Sequence, residues 1–110
     1  MAKELLIDFF DCNALVINDI EKIRKITRMI VEGINSKIVE ETWHCFEPIG
    51  ITYVAVIAKS HVTIHTWPEK LAAAVDIFSC DDSIPDGFIA KIQDELQAKR
   101  HILQTVSRNI

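Results

Sequence analysis

The run Tyr53-Val54-Ala55-Val56-Ile57-Ala58 restricts the fold more than any other feature of the chain. Its six apolar residues fall well short of the roughly 18 that a membrane span needs, and they are too few for a buried helix. Being apolar on both alternating faces, the run predicts a central strand covered on both sides. Such a strand needs neighbours. Leu5-Leu6-Ile7-Asp8-Phe9-Phe10 has strand composition and is closed by the turn formers Asp11-Cys12-Asn13. Lys37 to His44 is rich in β-branched and aromatic residues, and Pro48-Ile49-Gly50 makes the turn that follows it. Val62 to His65 reads as a short strand interrupted by Trp67-Pro68. Ala72 to Ser79 reads as another, ending before Asp81-Asp82-Ser83, and Arg100 to Val106 as a closing one.

Two helices lie between these strands. Asn18 stands where an N-cap would, with Glu21 three residues on as a capping box requires, and Ile23, Ile26, Ile30 and Ile34 form one apolar stripe. That predicts a helix of about four turns, closed by Gly33 and Asn35. Pro85 suits the first turn of a second helix that carries Phe88, Ile92 and Leu96 on one face. Strands interleaved with two helices predict an α+β two-layer sandwich, a mainly antiparallel sheet with both helices on one face.

With 49% of its 110 residues apolar, the chain can build one core, so a single domain over residues 1–110 is expected. A core of this size leaves apolar surface that a second copy can bury, which predicts a homo-oligomer. The net charge of -4 and pI of about 5.5 give no basic surface on which phosphates could release counterions, so nucleic acid is not an expected partner. Met1-Ala2-Lys3-Glu4 is too short and too charged to precede a secretory core, and no run spans a membrane; a cytoplasmic protein is expected. Cys12, Cys45 and Cys80 are an odd number without C-x-x-C spacing, which predicts reduced thiols.

Chemistry is concentrated in Ser60-His61-Val62-Thr63-Ile64-His65-Thr66-Trp67-Pro68-Glu69, directly after the apolar run. Three readings stand on the residues alone. His61 and His65, at i and i+4, share a face of a helix or a strand and could begin a metal site completed by Cys80 or Glu69, although Val62, Thr63, Ile64 and Pro68 disfavour a helix. Ser60 or Cys80 could be a nucleophile activated by a histidine, but no G-x-S-x-G elbow surrounds Ser60. The histidines could also be satisfied core or surface residues, with Trp67 as packing.

The segment Ala58-Lys59-Ser60-His61-Val62-Thr63-Ile64-His65-Thr66-Trp67-Pro68-Glu69, followed by Ala74-Val75-Asp76-Ile77-Phe78-Ser79-Cys80, resembles the signature of prokaryotic S-adenosylmethionine decarboxylase proenzymes, A-E-S-H-x-[ST]-I-H-T-W-P-E and then A-V-D-[VI]-[FY]-[ST]-C. Leu5-Leu6-Ile7-Asp8-Phe9 and His44-Cys45-Phe46 extend the likeness over most of the chain. The chain departs from the pattern at Lys59, where the family carries Glu, at Cys45, where it carries a basic residue, and at Asp81-Asp82, where a glycine is usual.

The resemblance implies an S-adenosylmethionine decarboxylase-like fold and self-cleavage between Lys59 and Ser60 into a β chain of residues 1–59 and an α chain of residues 60–110. Ser60 would attack the Lys59 carbonyl, and elimination and loss of ammonia would leave a pyruvoyl group, the electron sink for decarboxylation. By the same likeness Thr52 steadies the cyclic intermediate, His65 transfers the proton during elimination, and Cys80 reprotonates the product carbon. Phe46 would stack on adenine, with Trp67 and Glu69 bordering the pocket. The implied activity is conversion of S-adenosylmethionine to its decarboxylated form for spermidine synthesis, by a homodimer with no metal. Pyruvoyl-dependent decarboxylation of arginine or ornithine, and an unprocessed homologue that binds a ligand or partner, are the other two readings.

Overall fold

The computed structural model describes residues 2–80 and 84–110. Six strands form one sheet: β1 (Lys3–Phe10), β2 (Ile38–Cys45), β3 (Ile51–Ile57), β4 (Ser60–Trp67), β5 (Ala72–Ser79) and β6 (Arg100–Ser107). Their order across the sheet is β2-β3-β4-β5-β1-β6, and every pairing is antiparallel. Three helices join them: α1 (Ala14–Ile17), α2 (Ile20–Gly33) and α3 (Phe88–Glu95). The α+β expectation holds, with one more short helix than the sequence announced. No helix among the described residues is long and apolar enough to cross a membrane.

Alternation along the strands sets the layers. Leu5, Ile7 and Phe9 of β1, Ile51, Tyr53, Ala55 and Ile57 of β3, Val62 and Ile64 of β4, and Val75 and Ile77 of β5 are buried, and pack in one cluster with Ile23, Ile26 and Ile30 of α2 and Ile92 of α3. Each Val, Leu, Ile or Phe side chain among these contributes about 1.5–3 kcal/mol on removal from water. The intervening residues point to the other face, which no helix among the described residues covers, and Val56 there is 47% exposed. This corrects the expectation that the Tyr53–Ala58 run is covered on both sides: it is apolar on both faces, but the chain buries only one. Ala58 itself lies in the turn after β3.

The ends of the elements carry further corrections. Asp19, not Asn18, caps α2, accepting from the N–H groups of Glu21 (3.0 Å) and Lys22 (3.3 Å). Asn18 closes α1, and its Oδ1 accepts from the Gly50 N–H at 3.0 Å. Asn35 takes the left-handed conformation after α2 (φ 56°). Gly33 remains helical, and its role is clearance, because a β-carbon there would come within 2.7 Å of the Phe88 ring. Pro85 precedes α3 rather than opening it, since the N-cap of α3 is Gly87. The short strand read at Val62–His65 is an eight-residue strand that begins at Ser60 and ends at Trp67. The turn read at Asp81-Asp82-Ser83 lies outside the described residues.

Beneath the β2 edge, Tyr53 donates from its hydroxyl to Glu41, which also accepts from Arg24 at 2.5 Å and 3.0 Å. The Arg24 guanidinium lies 4.8 Å from the Trp43 ring centre, and Trp43 stacks on Tyr53 at 6.3 Å. This pins the outermost part of the sheet to α2.

Candidate functional site

β3 and β4 form a hairpin with Ile57 opposite Ser60, so Ala58-Lys59 is a two-residue turn. Two contacts hold the turn to the segment after α2: the Ala58 N–H donates to the Lys37 carbonyl (3.1 Å), and the Ser36 hydroxyl donates to the Ala58 carbonyl (3.3 Å). Ser60 Oγ donates to the Lys59 carbonyl oxygen. Cys80, just past β5, donates to that same oxygen from Sγ at 2.9 Å, while its backbone N–H donates to Ser60 Oγ at 3.2 Å. One carbonyl thus faces a hydroxyl and a thiol. Two donors on a carbonyl oxygen draw electron density from its carbon, which favours attack by a nearby nucleophile. An open cleft of about 520 Å³ lies over this point, lined by Ser36, Lys59, Ser60, Ser79 and Cys80 among others.

The remaining residues singled out in the sequence gather elsewhere. Thr52 and His65 are cross-strand partners, with Oγ1 and Nδ1 hydrogen-bonded at 3.0 Å. The His65 ring lies 6.3 Å from Trp67 at 28°, and Phe46 packs edge-on against His44 at 4.6 Å. Phe46, Thr52, His65, Trp67 and Glu69 line a second cavity of about 280 Å³. Gly50 shapes its floor with a φ of 107° that only glycine adopts readily, while its carbonyl accepts from the Phe46 N–H at 2.8 Å.

These two groups are at opposite ends of the sheet. Ser60 and His65 both lie on β4, and five residues of extended chain separate them by about 16 Å. Cys80 and Glu69, the two residues weighed as further ligands for a metal on His61 and His65, also stand at opposite ends, beyond β5 and β4 respectively.

The outer face of the sheet carries an ionisable array that the sequence reading did not collect. Asp76 pairs with Thr63 on one side and Leu6 on the other, so Glu4, Asp8, His61 and His65 are its diagonal neighbours. Burial first, then the nearby Glu4, pushes the Asp76 carboxyl above the ordinary range, and Asp8 adds to the rise while His65 and His61 oppose it. The signal was present as the polar alternate of the apolar period in β1 and β5, and it became readable only once the strand register was known.

Known proteins resemble this chain in sequence and in backbone. Residues 3–109 match the S-adenosylmethionine decarboxylase family. An S-adenosylmethionine decarboxylase proenzyme of Prochlorococcus marinus is 36% identical over 110 residues, spanning 99% of this chain and 90% of the relative. One from Pseudomonas aeruginosa is 37% identical over 111 residues, spanning 100% and 69%. The crystal structure of the adenosylmethionine decarboxylase of Aquifex aeolicus superposes with a TM-score of 0.88 at 32% identity, covering all of this chain and 92% of that one. A match that runs nearly end to end in sequence and in backbone, and that includes the Ser60–Cys80 end of the sheet, places this chain in the S-adenosylmethionine decarboxylase family.

Proposed function

We propose that the chain cleaves itself between Lys59 and Ser60 and, as a pair of copies, decarboxylates S-adenosylmethionine for spermidine synthesis in the cytoplasm. The observation that carries this is the convergence of Ser60 Oγ and Cys80 Sγ on the Lys59 carbonyl oxygen. Ser60 Oγ attacks the Lys59 carbonyl carbon, the C–N bond breaks, and the proton from Oγ ends on the Ser60 nitrogen, which converts the peptide to an ester. Cys80 stabilises the charge that develops on the carbonyl oxygen during this step. Loss of the Ser60 α-proton then expels the Lys59 carboxylate, and hydrolysis of the residue left behind releases ammonia and gives a pyruvoyl group at the new amino terminus. Ser60 fits that origin because it is a serine held against its own scissile peptide. The pyruvoyl group supplies an electron sink for the carbanion produced when carbon dioxide leaves.

His65 is the proton carrier for the elimination, oriented by Thr52, and Cys80 returns a proton to the product carbon. Phe46 offers its ring to adenine, with Trp67 alongside, and the Glu69 carboxylate accepts from ribose hydroxyls. Both ends of β4 are then needed at one site, although a single protomer holds them about 16 Å apart. A two-fold pairing of outer sheet faces runs the two β4 strands in opposite directions and brings the His65 end of one copy to the Ser60 end of the other. The exposed side chains of Val56, Ile102 and Val106 on that face support such a pairing. The free thiols Cys12, Cys45 and Cys80 suit a reducing compartment.

Release of labelled carbon dioxide from carboxyl-labelled S-adenosylmethionine tests the reading. It is expected from the purified protein and absent from Ser60→Ala. Release from arginine or ornithine alone would overturn it.

A further inference from the structure

The residue that supplies the scissile carbonyl has an unusual backbone. Lys59 has φ 73°, the left-handed region in which an L side chain crowds its own carbonyl. Among the described residues four other non-glycine residues share the region, and each has a local reason. Leu71 follows the 3₁₀ turn Pro68–Lys70, Asn35 and Gln97 follow α2 and α3, and Asp11 is of a type that tolerates the conformation in turns. Lys59 ends no helix. It is the second central residue of a two-residue hairpin, and Ala58 before it is not among the positive-φ residues. A left-handed turn position of this kind asks for glycine or asparagine.

Contacts hold the turn on several sides. Ile57 and Ser60 are ladder partners on either side, the Ala58 N–H and carbonyl are both tied to residues 36 and 37, and the Lys59 carbonyl is held by Ser60 and Cys80. We infer that Lys59 is a positioning residue for self-cleavage: its β-carbon loads the turn with backbone strain that is relieved when the peptide becomes an ester. The transfer is an isomerisation. The Lys59 C–N bond breaks, a bond from the same carbon to Ser60 Oγ forms, and one proton moves from that oxygen to the nitrogen. The ester link between residues 59 and 60 runs through Cβ and Oγ, so the single rotatable N–Cα bond of the peptide path is replaced by two, Cα–Cβ and Cβ–Oγ, and this longer connection lets residue 59 leave the left-handed region.

This inference rests on self-cleavage at Lys59–Ser60, and it gives the side chain at 59 a role through its β-carbon rather than its charge. Glycine is at ease at this φ, so Lys59→Gly removes the strain, whereas Lys59→Ala removes the charge and keeps the β-carbon. Two readouts on the full chain test it. The first-order rate at which the intact chain disappears is expected to be about 5- to 30-fold slower in Lys59→Gly than in Lys59→Ala, the equivalent of about 1–2 kcal/mol at 1.36 kcal/mol per decade. In a Ser60→Ala background, where no cleavage competes, Lys59→Gly is expected to melt higher than Lys59→Ala. Equal cleavage rates for the glycine and alanine variants overturn the inference. So does slower cleavage by the glycine variant with a lower melting temperature, because that outcome reports a loosened turn. A chain that never cleaves while the glycine variant still melts higher shows that the strain exists without being used for cleavage; it fails the functional reading and this role for Lys59 together, whereas equal rates in a cleaving protein fail this role alone.

Discussion

Ser60 and His65 occupy opposite ends of one strand, Ser60 beside Cys80 and His65 hydrogen-bonded to Thr52. The proposed reaction uses both, so its site draws one from each of two copies.

That arrangement predicts complementation between inactive variants. Ser60→Ala keeps His65, and His65→Ala keeps Ser60. Co-expressed, they form mixed dimers with one intact site and one doubly defective site, giving about a quarter of normal decarboxylase activity when pairing is random. No recovery from a co-purified mixed dimer would contradict a site shared between copies.

Cys80 is expected to act before catalysis as well as during it. The Sγ contact to the Lys59 carbonyl is a single neutral donor, worth about 1 kcal/mol net, so Cys80→Ala slows self-cleavage by about three- to tenfold. Cys80→Ser, which keeps a donor, recovers most of the cleavage rate while turnover of S-adenosylmethionine stays low. Time courses on denaturing gels after expression at low temperature give the comparison, and cleavage of Cys80→Ala at the full rate would contradict the role.

Away from the site, the pH dependence of stability should report Glu41. Its carboxyl is held below the ordinary carboxylate range, chiefly by the hydrogen bond from Arg24 and next by that from Tyr53. The folded chain therefore binds this proton less readily than the unfolded chain. The pairing contributes fully above the unfolded glutamate value of about 4.3 and is lost as pH falls from there through the folded value. In a Ser60→Ala background, Glu41→Gln should lower Tm by about 2–5 °C at pH 7, with the gap narrowing steadily below about pH 4. A gap that does not change with pH would contradict the ionic contribution.

Strand alternation and the isoleucine stripe of α2 were legible because each element buries one face at its own period. α1 was not, because Ala14–Ile17 is too short to show a period at all. The cap of α2 was misplaced by one residue because Asn18 and Asp19 are both good caps, and what separates them is the Gly50 N–H, which Asn18 serves from 32 residues away in sequence. Val54 and Val56 suggested a strand covered on both sides because sequence records that a face is apolar, not whether it is covered. Residues 60–69 formed a chemical cluster in sequence, yet an extended strand rises about 3.3 Å per residue and draws such a cluster out into a line. The proximity of Cys80 to Ser60 depends on the register between β4 and β5, with His61 opposite Phe78, which composition does not encode.

The central claim is that Ser60 breaks its own peptide bond, and the intact mass of freshly purified protein tests it most directly. Two chains, residues 1–59 and residues 60–110 with a keto group replacing the amino terminus of the second, are the predicted result. A single species near 12.5 kDa that persists in folded protein would contradict it.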